Sequence, residues 1–498
     1  MSRQIKKPRY NPAWNSVLSA VLLLLAFPPF NLGLLVFVAL VPWLLTLKDL
    51  ENGRQAWRSG YLFGLVYILG QMYFLLPFVS RWTGSWVTAA VPWVICGLLG
   101  ACYFGLFAVI ARMSWSRGLP WLIPIGWAGV EVFRSYIPVL SFPWGLIAFP
   151  LHPYPALIQM AHEGSVYLVG AWVALVNVVV TLVLSHQPNA PIEKTVRWGG
   201  LVCVALLAVS LMRYSAPIRG QLVSVLICQP AIDDAFGNHS GNMLRLEQEM
   251  PAVYDKAAAL DVDFILMPEG LVHSQNGEPP EIPFRLRRKP PILLGGQRGD
   301  SPAYQSAFAY DDGRWTHADK TRLVPFGEYV PGRHFLPFLS AFDLPSGDLT
   351  PANHVQPITI GDHKIGALLC FEEMFPEVAI QQARAGAQLL AVMSIDDWYM
   401  ASNAPVQLAD TAAFRAIETG LPVVRSATLG FSQAYDSHGV LLKQAPLKTL
   451  SAFPVQVVAP DHSDVAPWVW YFPTCCFIAL PILLLANWFP RPRAPKHR

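Results

Sequence analysis

Cys370 is the residue whose position most suggests chemistry. It ends the apolar run 365–369 and is followed at once by the polar turn that begins Phe371-Glu372-Glu373. A cysteine at the end of a strand can present its sulfur to a cleft, and its thiolate is a strong nucleophile when a base lies near. A lone cysteine after an apolar run is more often a small buried hydrophobic side chain. The nucleophile hypothesis therefore depends on partners elsewhere in the sequence.

Two charged residues could be those partners. Glu269 closes the strand-like run 263–268, and a carboxylate that is partly desolvated at the rim of a sheet has a raised pKa, which suits it to take a proton from a thiol. Lys320 opens an apolar and aromatic stretch that ends at Tyr329. An ammonium held there by Glu328 could point at the oxygen that gains charge when a thiolate attacks a carbonyl. Each alone is typical of a solvated surface charge, and they gain significance only in combination with the cysteine.

The elements that must position these residues fall into two parts of different composition. The chain has 498 residues, of which 53% are hydrophobic and 14% are charged, whereas soluble proteins average about 25% charged. Of the 33 acidic residues, those before position 216 are only Asp49, Glu51, Glu131, Glu163 and Glu193. A membrane-embedded first part is therefore predicted, followed by a polar part. The net charge of +3, with no basic stripe interleaved with aromatics, argues against a nucleic-acid partner.

Apolar stretches approach the length of about 20 residues that a helix needs to cross a bilayer. They lie near 13–29, 31–47, 59–79, 86–110, 119–136, 160–184, 197–214 and 467–489. The first lacks a small-residue cleavage site, so we interpret it as a retained helix. The predicted domains are 1–215 with seven transmembrane helices, 216–466 as a catalytic domain, and 467–498 with an eighth helix and a basic cytoplasmic tail.

The distribution of Lys and Arg predicts the orientation, because these residues accumulate in short cytoplasmic loops. A cytoplasmic amino terminus places most of the basic residues inside: Arg3, Lys6, Lys7, Arg9, Lys48, Arg54, Arg58, Arg112, Arg117, Lys194, Arg197, Arg491, Arg493, Lys496 and Arg498. The opposite side then holds little beyond Arg81, Arg134, Arg213 and Arg219. Both termini are therefore predicted in the cytoplasm, with residues 216–466 outside it.

The outer part alternates short β-rich runs with helical patterns, which predicts a layered α/β domain. The strand-like runs are 222–228, 264–267, 292–294, 365–370 and 389–393, and the helical patterns are 241–260 and 405–419. Of the seven cysteines only Cys228 and Cys370 lie in this part, and none has CxxC or metal-ligand spacing. We therefore expect no disulfide scaffold, metal or cofactor.

The order Glu, Lys, Cys resembles the triad of the nitrilase superfamily and, more closely, its membrane-bound branch, the apolipoprotein N-acyltransferase family. The catalytic-part motifs are Met267-Pro268-Glu269, Lys320 to Pro331, and Cys370 to Glu377. The likeness extends into the membrane part, which ordinary nitrilases lack. The motifs there are Ala26-Phe27-Pro28-Pro29-Phe30, Glu131-x-x-Arg134 followed by Phe142-Pro143-Trp144, Gln159-x-Ala161 with Gly164, and Asn177. Glu131 and Arg134, at helical spacing, could be a purely structural pair or could contact substrate.

This resemblance implies a multi-span α-helical membrane domain in a bacterial inner membrane, carrying a periplasmic, nitrilase-like αββα sandwich. Glu269 would be the base, Lys320 the oxyanion donor and Cys370 the nucleophile. Supporting residues would be Glu328, Phe371, Glu372 and Trp398. The implied reaction is ping-pong: a phospholipid such as phosphatidylethanolamine acylates the cysteine, and a diacylated lipoprotein then accepts the chain on its amino-terminal amine.

Several segments around the triad depart from the family pattern. The family commonly has Gly-Asn and a later Lys-Trp where this chain has Gln229 to Phe236, Ser-Asn-Asp-x-Trp where it has Ser394 to Trp398, tyrosine at Phe371, and Thr-Asn-x-Gly at 427–430. The acceptor is therefore open, with a membrane-bound amidase or other hydrolase, or transfer to a different amine, as the alternatives. A transporter fits poorly, because paired mid-span Gly-Pro breaks are missing and intramembrane charges are few.

The loop that contains Phe335, Leu336, Phe338, Leu339 and Phe342 is rich in large apolar residues. It could form a lipid-facing lid for substrates whose acyl chains lie in the bilayer. Ordinary packing within the domain explains the same composition equally well.

Overall fold

The computed structural model describes residues 11–137, 141–185, 190–233, 235–275, 279–333, 344 and 347–486. Outside this description lie both basic termini, at 1–10 and 487–498, and the loop with Phe335, Leu336, Phe338, Leu339 and Phe342. The chain divides into two compact units. The first comprises Met1–Leu151, Glu163–Met212 and Trp468–Arg498, and the second His152–His162 and Arg213–Pro467.

The first unit is helical. Its helices are α1 (Pro12–Ala26), α2 (Val41–Asp49), α3 (Gly53–Gln71), α4 (Leu75–Thr83), α5 (Trp86–Ser116), α6 (Leu122–Tyr136), α8 (Ala161–Leu184), α9 (Ala190–Tyr214) and α13 (Tyr471–Ala486). Within the described ranges, three helices are long and apolar enough to cross a membrane, and the pair α3 and α4, bent by 54°, adds a fourth if the two helices form one span. Two shorter apolar helices are α1 and α13. The unit thus has the apolar helices expected of a membrane domain.

Prolines set the breaks between the first helices. Helix α1 ends just before Pro28 and Pro29, which lack the N–H that would continue its hydrogen bonding. The apolar stretch 31–47 is therefore not one helix but a 3₁₀ segment, Gly33–Phe37, followed by α2. Pro42 lies in the first turn of α2, where a missing N–H costs nothing.

Glu131 and Arg134 of α6 bind the backbone of the non-helical segment that follows this helix. The Arg134 guanidinium donates to the carbonyls of Trp144, at 2.6 Å, and Gly145, at 2.9 Å. Glu131 accepts from the Ile147 N–H at 2.9 Å. Non-helical backbone among apolar helices needs such hydrogen-bond partners, because in a bilayer core no water can bind its N–H and C=O groups. These contacts favour a structural role for the pair.

The second unit is built on two sheets. The first has the order β13-β1-β2-β4-β5-β6, with β3 beside β4, and the second has the order β12-β11-β10-β9-β8-β7. Their strands are β1 (Gln221–Gln229), β2 (Phe264–Leu266), β3 (Val272–Ser274), β4 (Ile292–Arg298), β5 (Tyr304–Asp311), β6 (Arg314–Asp319), β7 (Ile358–Ile360), β8 (His363–Leu369), β9 (Leu389–Ser394), β10 (Val423–Ala427), β11 (Gln433–Tyr435), β12 (Leu441–Gln444) and β13 (Ser451–Ala459). The helices are α7 (Pro155–Ile158), α10 (His239–Ala259), α11 (Pro376–Arg384) and α12 (Ala404–Thr419).

The two sheets pack face to face. One hydrophobic cluster joins Leu266 of the first sheet to Leu369 and Met393 of the second. A second cluster packs α10, through residues such as Met250, onto the other face of the first sheet, and α11 and α12 contact the second sheet. The layers follow the order α-β-β-α, which confirms the predicted αββα sandwich. Strands β1, β2 and β4 are parallel, as are β8, β9 and β10.

The short segment His152–His162 is part of this second unit. Gln159 from the family-like motif donates to the His438 carbonyl at 2.7 Å. His152 Nε2 lies 3.3 Å from a carboxylate oxygen of Asp410 on α12. These contacts attach the segment to the sandwich.

Candidate active site

Cys370 follows β8 directly and opens the 3₁₀ turn Cys370–Met374. Its φ of +50° lies in the left-handed region, which costs an ordinary side chain on the order of 1–3 kcal/mol and is concentrated at functional sites. Burial raises the pKa of the thiol, the charge of Glu269 raises it further, and Lys320 lowers it. The thiol is therefore protonated at rest and needs a base to react.

Lys320 follows β6 and is fully buried. Its Nζ donates to Glu328 Oε1 at 2.6 Å and lies 3.7 Å from Glu269 Oε1. Burial lowers the pKa of Lys320, but Glu328 and Glu269 outweigh it, so the pKa lies above its ordinary value. The ammonium thus stays charged beside the predicted base.

Glu269 follows β2 and is 2% exposed. Burial raises its pKa to about 7, against the opposing charge of Lys320 and a hydrogen bond with Gln305. Its Oε1 has no hydrogen-bond partner among the described residues. Buried polar atoms are seldom left unpaired. This unpaired oxygen is therefore a candidate to accept a proton during a reaction.

Gly295 of β4 explains how Glu269 fits against the sheet. A Cβ atom at this position would lie 2.8 Å from the Glu269 Cα. The Gly295 N–H donates to the Pro268 carbonyl at 3.0 Å, and its carbonyl accepts from Leu271 at 2.9 Å. Only a residue without a side chain allows this close backbone approach.

Glu328 and Glu372 are hydrogen-bonded around the predicted triad in different ways. Glu328 binds Lys320 directly, and its second oxygen accepts from the Val324 N–H at 2.9 Å, which closes the loop after the lysine. Glu372 Oε1 accepts from the N–H and hydroxyl of Thr321, at 2.8 and 2.7 Å. Its Oε2 accepts from Leu369 N at 3.0 Å. Glu372 thus joins the lysine loop to the strand end that carries the cysteine.

Phe371 and Trp398 pack against aromatic neighbours. Phe371 is buried and contacts Phe375 edge-on, with ring centroids 5.1 Å apart. Trp398 contacts Phe236 edge-on at 5.3 Å. Both remain predicted supporting residues, with packing as the role that these contacts indicate.

Sequence reasoning missed a buried ion cluster near the cysteine. Arg425 of β10 donates to Glu373 at 3.0 to 3.2 Å and to Asp396 through two bonds of 3.0 Å. All three side chains are fully buried. One available signal was an arginine inside the apolar run Val423-Val424-Arg425, since charged residues are almost never fully buried unless paired.

Tyr399, next to Trp398, was also not predicted. Burial raises its pKa, and interactions with Cys370 and Glu328 raise it further, so its phenol lies near these two residues. No cluster of His, Cys, Asp or Glu that could hold a metal ion occurs in the described part of the chain.

Two family models match the chain. The Apolipoprotein N-acyltransferase N-terminal domain matches residues 19–179, and the Carbon-nitrogen hydrolase model matches residues 293–468. Lys320 and Cys370 lie within the second match, and Glu269 lies before it.

Relatives match most of the chain. The apolipoprotein N-acyltransferase of Geobacter metallireducens is 30% identical over 464 residues, covering 87% of this chain and 86% of that protein. That of Rhizobium rhizogenes is 28% identical over 479 residues, covering 86% of each. Among solved structures, Saccharomyces cerevisiae Nit3, a member of branch 10 of the nitrilase superfamily, is 17% identical with a TM-score of 0.36, covering 54% of this chain and 97% of its own.

Proposed function

Because this chain belongs to the apolipoprotein N-acyltransferase family, we propose that it N-acylates lipoproteins through a thioester on Cys370. The observation that carries the chemistry is the buried Glu269, whose open Oε1 lies 3.7 Å from the Lys320 ammonium. A base that is partly ionised near pH 7, beside a fixed positive charge, is suited to activate a thiol and stabilise an oxyanion.

In the first step, Glu269 takes the proton of the Cys370 thiol. The thiolate attacks an ester carbonyl of a phospholipid such as phosphatidylethanolamine, and Lys320 stabilises the tetrahedral oxyanion. Glu269 then returns the proton to the departing lysophospholipid oxygen, which leaves an acyl-cysteine. Glu328 holds the lysine during this step through its 2.6 Å bond.

In the second step, the amino-terminal amine of a diacylglyceryl-cysteine lipoprotein attacks the thioester. Glu269 accepts the proton of the attacking amine and passes it to the leaving sulfur. The product is an N-acylated lipoprotein with the Cys370 thiol restored, so the two half-reactions balance without a cofactor.

We place the protein in a bacterial inner membrane with the catalytic domain 216–466 in the periplasm and both termini in the cytoplasm. Residues 1–215 would supply seven spans, and 467–498 an eighth with the basic tail. The apolar helices of the first unit and the Lys and Arg distribution support this arrangement. Labelling of single cysteines introduced on either side of each span, with an impermeant maleimide on intact cells, tests it.

The acyl-cysteine is the most informative species to trap. Purified protein given phosphatidylethanolamine without an acceptor should carry one acyl chain on Cys370, detected by mass spectrometry of the intact protein and its peptides. Adding a diacylated lipopeptide should discharge this adduct and yield triacylated peptide. Cys370→Ser should form no thioester, whereas Cys228→Ser, a buried cysteine of β1, is the matched control and should form it normally.

The competing function is a membrane-bound hydrolase with the same triad. Steady release of free fatty acid without an accumulating adduct would favour water as the acceptor. Discharge by other amines but not by the diacylated lipopeptide would favour a different amine substrate. Full activity of a Cys370→Ala protein would exclude Cys370 as the nucleophile in both of these functions.

A further inference from the structure

Ser394 carries a buried hydroxyl beside the predicted nucleophile, and none of the proposed reaction steps uses it. It ends β9, and β8 pairs with β9 in parallel with Leu369 opposite Met393. Cys370, directly after β8, and Ser394, the last residue of β9, are therefore neighbours, since adjacent strands lie about 4.8 Å apart. The Ser394 side chain also lowers the pKa of the Cys370 thiol, as a hydroxyl close to the sulfur would.

The Ser394 hydroxyl is also hydrogen-bonded to the carboxylate of Asp396, which Arg425 holds in place. Ser394 Oγ donates to Asp396 Oδ1 at 2.6 Å. Arg425 donates to both oxygens of Asp396 at 3.0 Å, and it also donates to Glu373 and to the Phe431 carbonyl. At Gly430 a Cβ would lie 1.7 Å from Asp396 Oδ2, so the space beside this carboxylate is filled by a residue without a side chain. Asp396 is therefore fixed in position.

The single hydrogen of a hydroxyl can serve only one acceptor at a time. While Cys370 is a thiol, its S–H can donate to Ser394 Oγ and the serine can donate to Asp396. After Glu269 removes the thiol proton, the sulfur becomes a strong acceptor, and Asp396 still keeps its two hydrogen bonds from Arg425. The hydroxyl can then turn from the carboxylate to the thiolate.

We propose that Ser394 is a further catalytic residue, whose hydroxyl donates a hydrogen bond to the Cys370 thiolate, with Asp396 and Arg425 as positioning residues. This inference rests on the proposed role of Cys370 as the nucleophile. Ser394 keeps its own proton throughout. The thiol proton goes to Glu269, the new bond joins sulfur to the acyl carbon, and the proton leaves with the lysophospholipid.

The test is the pH dependence of Cys370 alkylation by iodoacetamide, followed by mass spectrometry of the peptide that contains this cysteine. Ser394→Ala should raise the midpoint by about one pH unit, which slows alkylation about tenfold below the midpoint. Ser426→Ala is the matched control, because this buried serine of the neighbouring β10 donates to the Cys228 carbonyl instead. The control should keep the wild-type midpoint.

A Ser394→Ala midpoint within 0.2 pH units of the control, roughly a 1.6-fold change in thiolate, would overturn the proposal. Should this variant fail to fold, the nearly isosteric Ser394→Cys carries the test, because a thiol is a much weaker hydrogen-bond donor than a hydroxyl. Its Cys370 midpoint should also rise, and an unchanged or lower midpoint would contradict the proposal. Alkylation needs no lipid, so its outcome is independent of whether phospholipid acylates the wild-type protein.

Discussion

Two buried clusters in the second unit, each with one cation and two carboxylates, act electrostatically on Cys370, and they differ in how completely they are hydrogen-bonded. The lysine cluster consists of Glu269, Lys320 and Glu328, and the arginine cluster of Glu373, Asp396 and Arg425. Composition and burial are similar in both. They therefore do not indicate which cluster performs chemistry.

Unfilled bonding capacity separates the clusters. Arg425 binds both of its carboxylates within 3.2 Å, whereas Glu269 Oε1 has no hydrogen bond in the described structure and stands 3.7 Å from Lys320. A buried acceptor left open costs about 1–3 kcal/mol. The arginine cluster, whose hydrogen bonds are complete, can hold together the segments that it joins. The lysine cluster, which has an unpaired carboxylate oxygen, can accept a proton.

The largest expected contrast comes from matching substitutions in the two clusters. Glu269→Gln should slow acyl-Cys370 formation by about 10³-fold, since general-base catalysis typically contributes 10²–10⁴, and should leave the folded state intact. Glu373→Gln should instead lower the free energy of unfolding by about 3 kcal/mol, because it weakens a buried ion pair. Single-turnover acylation and thermal unfolding of both proteins measure the two effects.

Folded Glu373→Gln protein should acylate within about tenfold of the wild-type rate, well short of the general-base effect. Equal rate losses in the two variants would mean that hydrogen-bond completeness does not identify the base. Cys370→Ser in parallel sets the floor of the assay.

The pH dependence of acylation sharpens the same contrast. Burial raises the pKa of Glu269 to about 7, so the base is protonated and inactive below that pH. The acylation rate should therefore rise through about pH 7 and level off above it. Two lysine-cluster variants should move this limb in opposite directions.

Lys320→Met removes the charge that lowers the Glu269 pKa, so the limb should move to higher pH, with a rate loss of about 10²-fold at its plateau from the missing oxyanion donor. Glu328→Gln removes a charge that raises the same pKa, so the limb should move to lower pH. Stopped-flow or quenched acylation between pH 5 and about 9 gives both shifts. Movement in the same direction for both variants would exclude Glu269 as the group that titrates.

The sequence predicted the triad's positions because Glu269 and Cys370 follow short apolar runs that had to be buried strands. The run 365–370 corresponds to β8, His363–Leu369, and the run 264–267 to β2, Phe264–Leu266. Strand β6 was not predicted, because its sequence Arg-Trp-Thr-His-Ala-Asp is mostly polar and exposed. Pairing with β5 holds it in the sheet.

The arginine cluster could not be read from one sequence, because its members come from three separate segments. Glu373 follows β8, Asp396 follows β9, and Arg425 lies in β10. Only the parallel order of these strands brings the three together. Ser394 became interpretable for the same reason, since its neighbour across the sheet is fixed by strand register.

The smallest expected effect tests whether the arginine cluster needs its close packing. In Gly430→Ala the new methyl group would lie 1.7 Å from Asp396 Oδ2, so Asp396 must move away from Arg425 and Ser394. Such overpacking typically costs about 1–3 kcal/mol. We expect a lower unfolding temperature and an acylation rate reduced by several-fold, with the pH limb of Glu269 unmoved because the lysine cluster is untouched. Gly241→Ala in α10 is the control, since its nearest neighbour atom would be 3.6 Å away, and it should leave the acylation rate unchanged without lowering the unfolding temperature. A shift of the pH limb in Gly430→Ala would show that the two clusters are electrostatically coupled rather than separate in function.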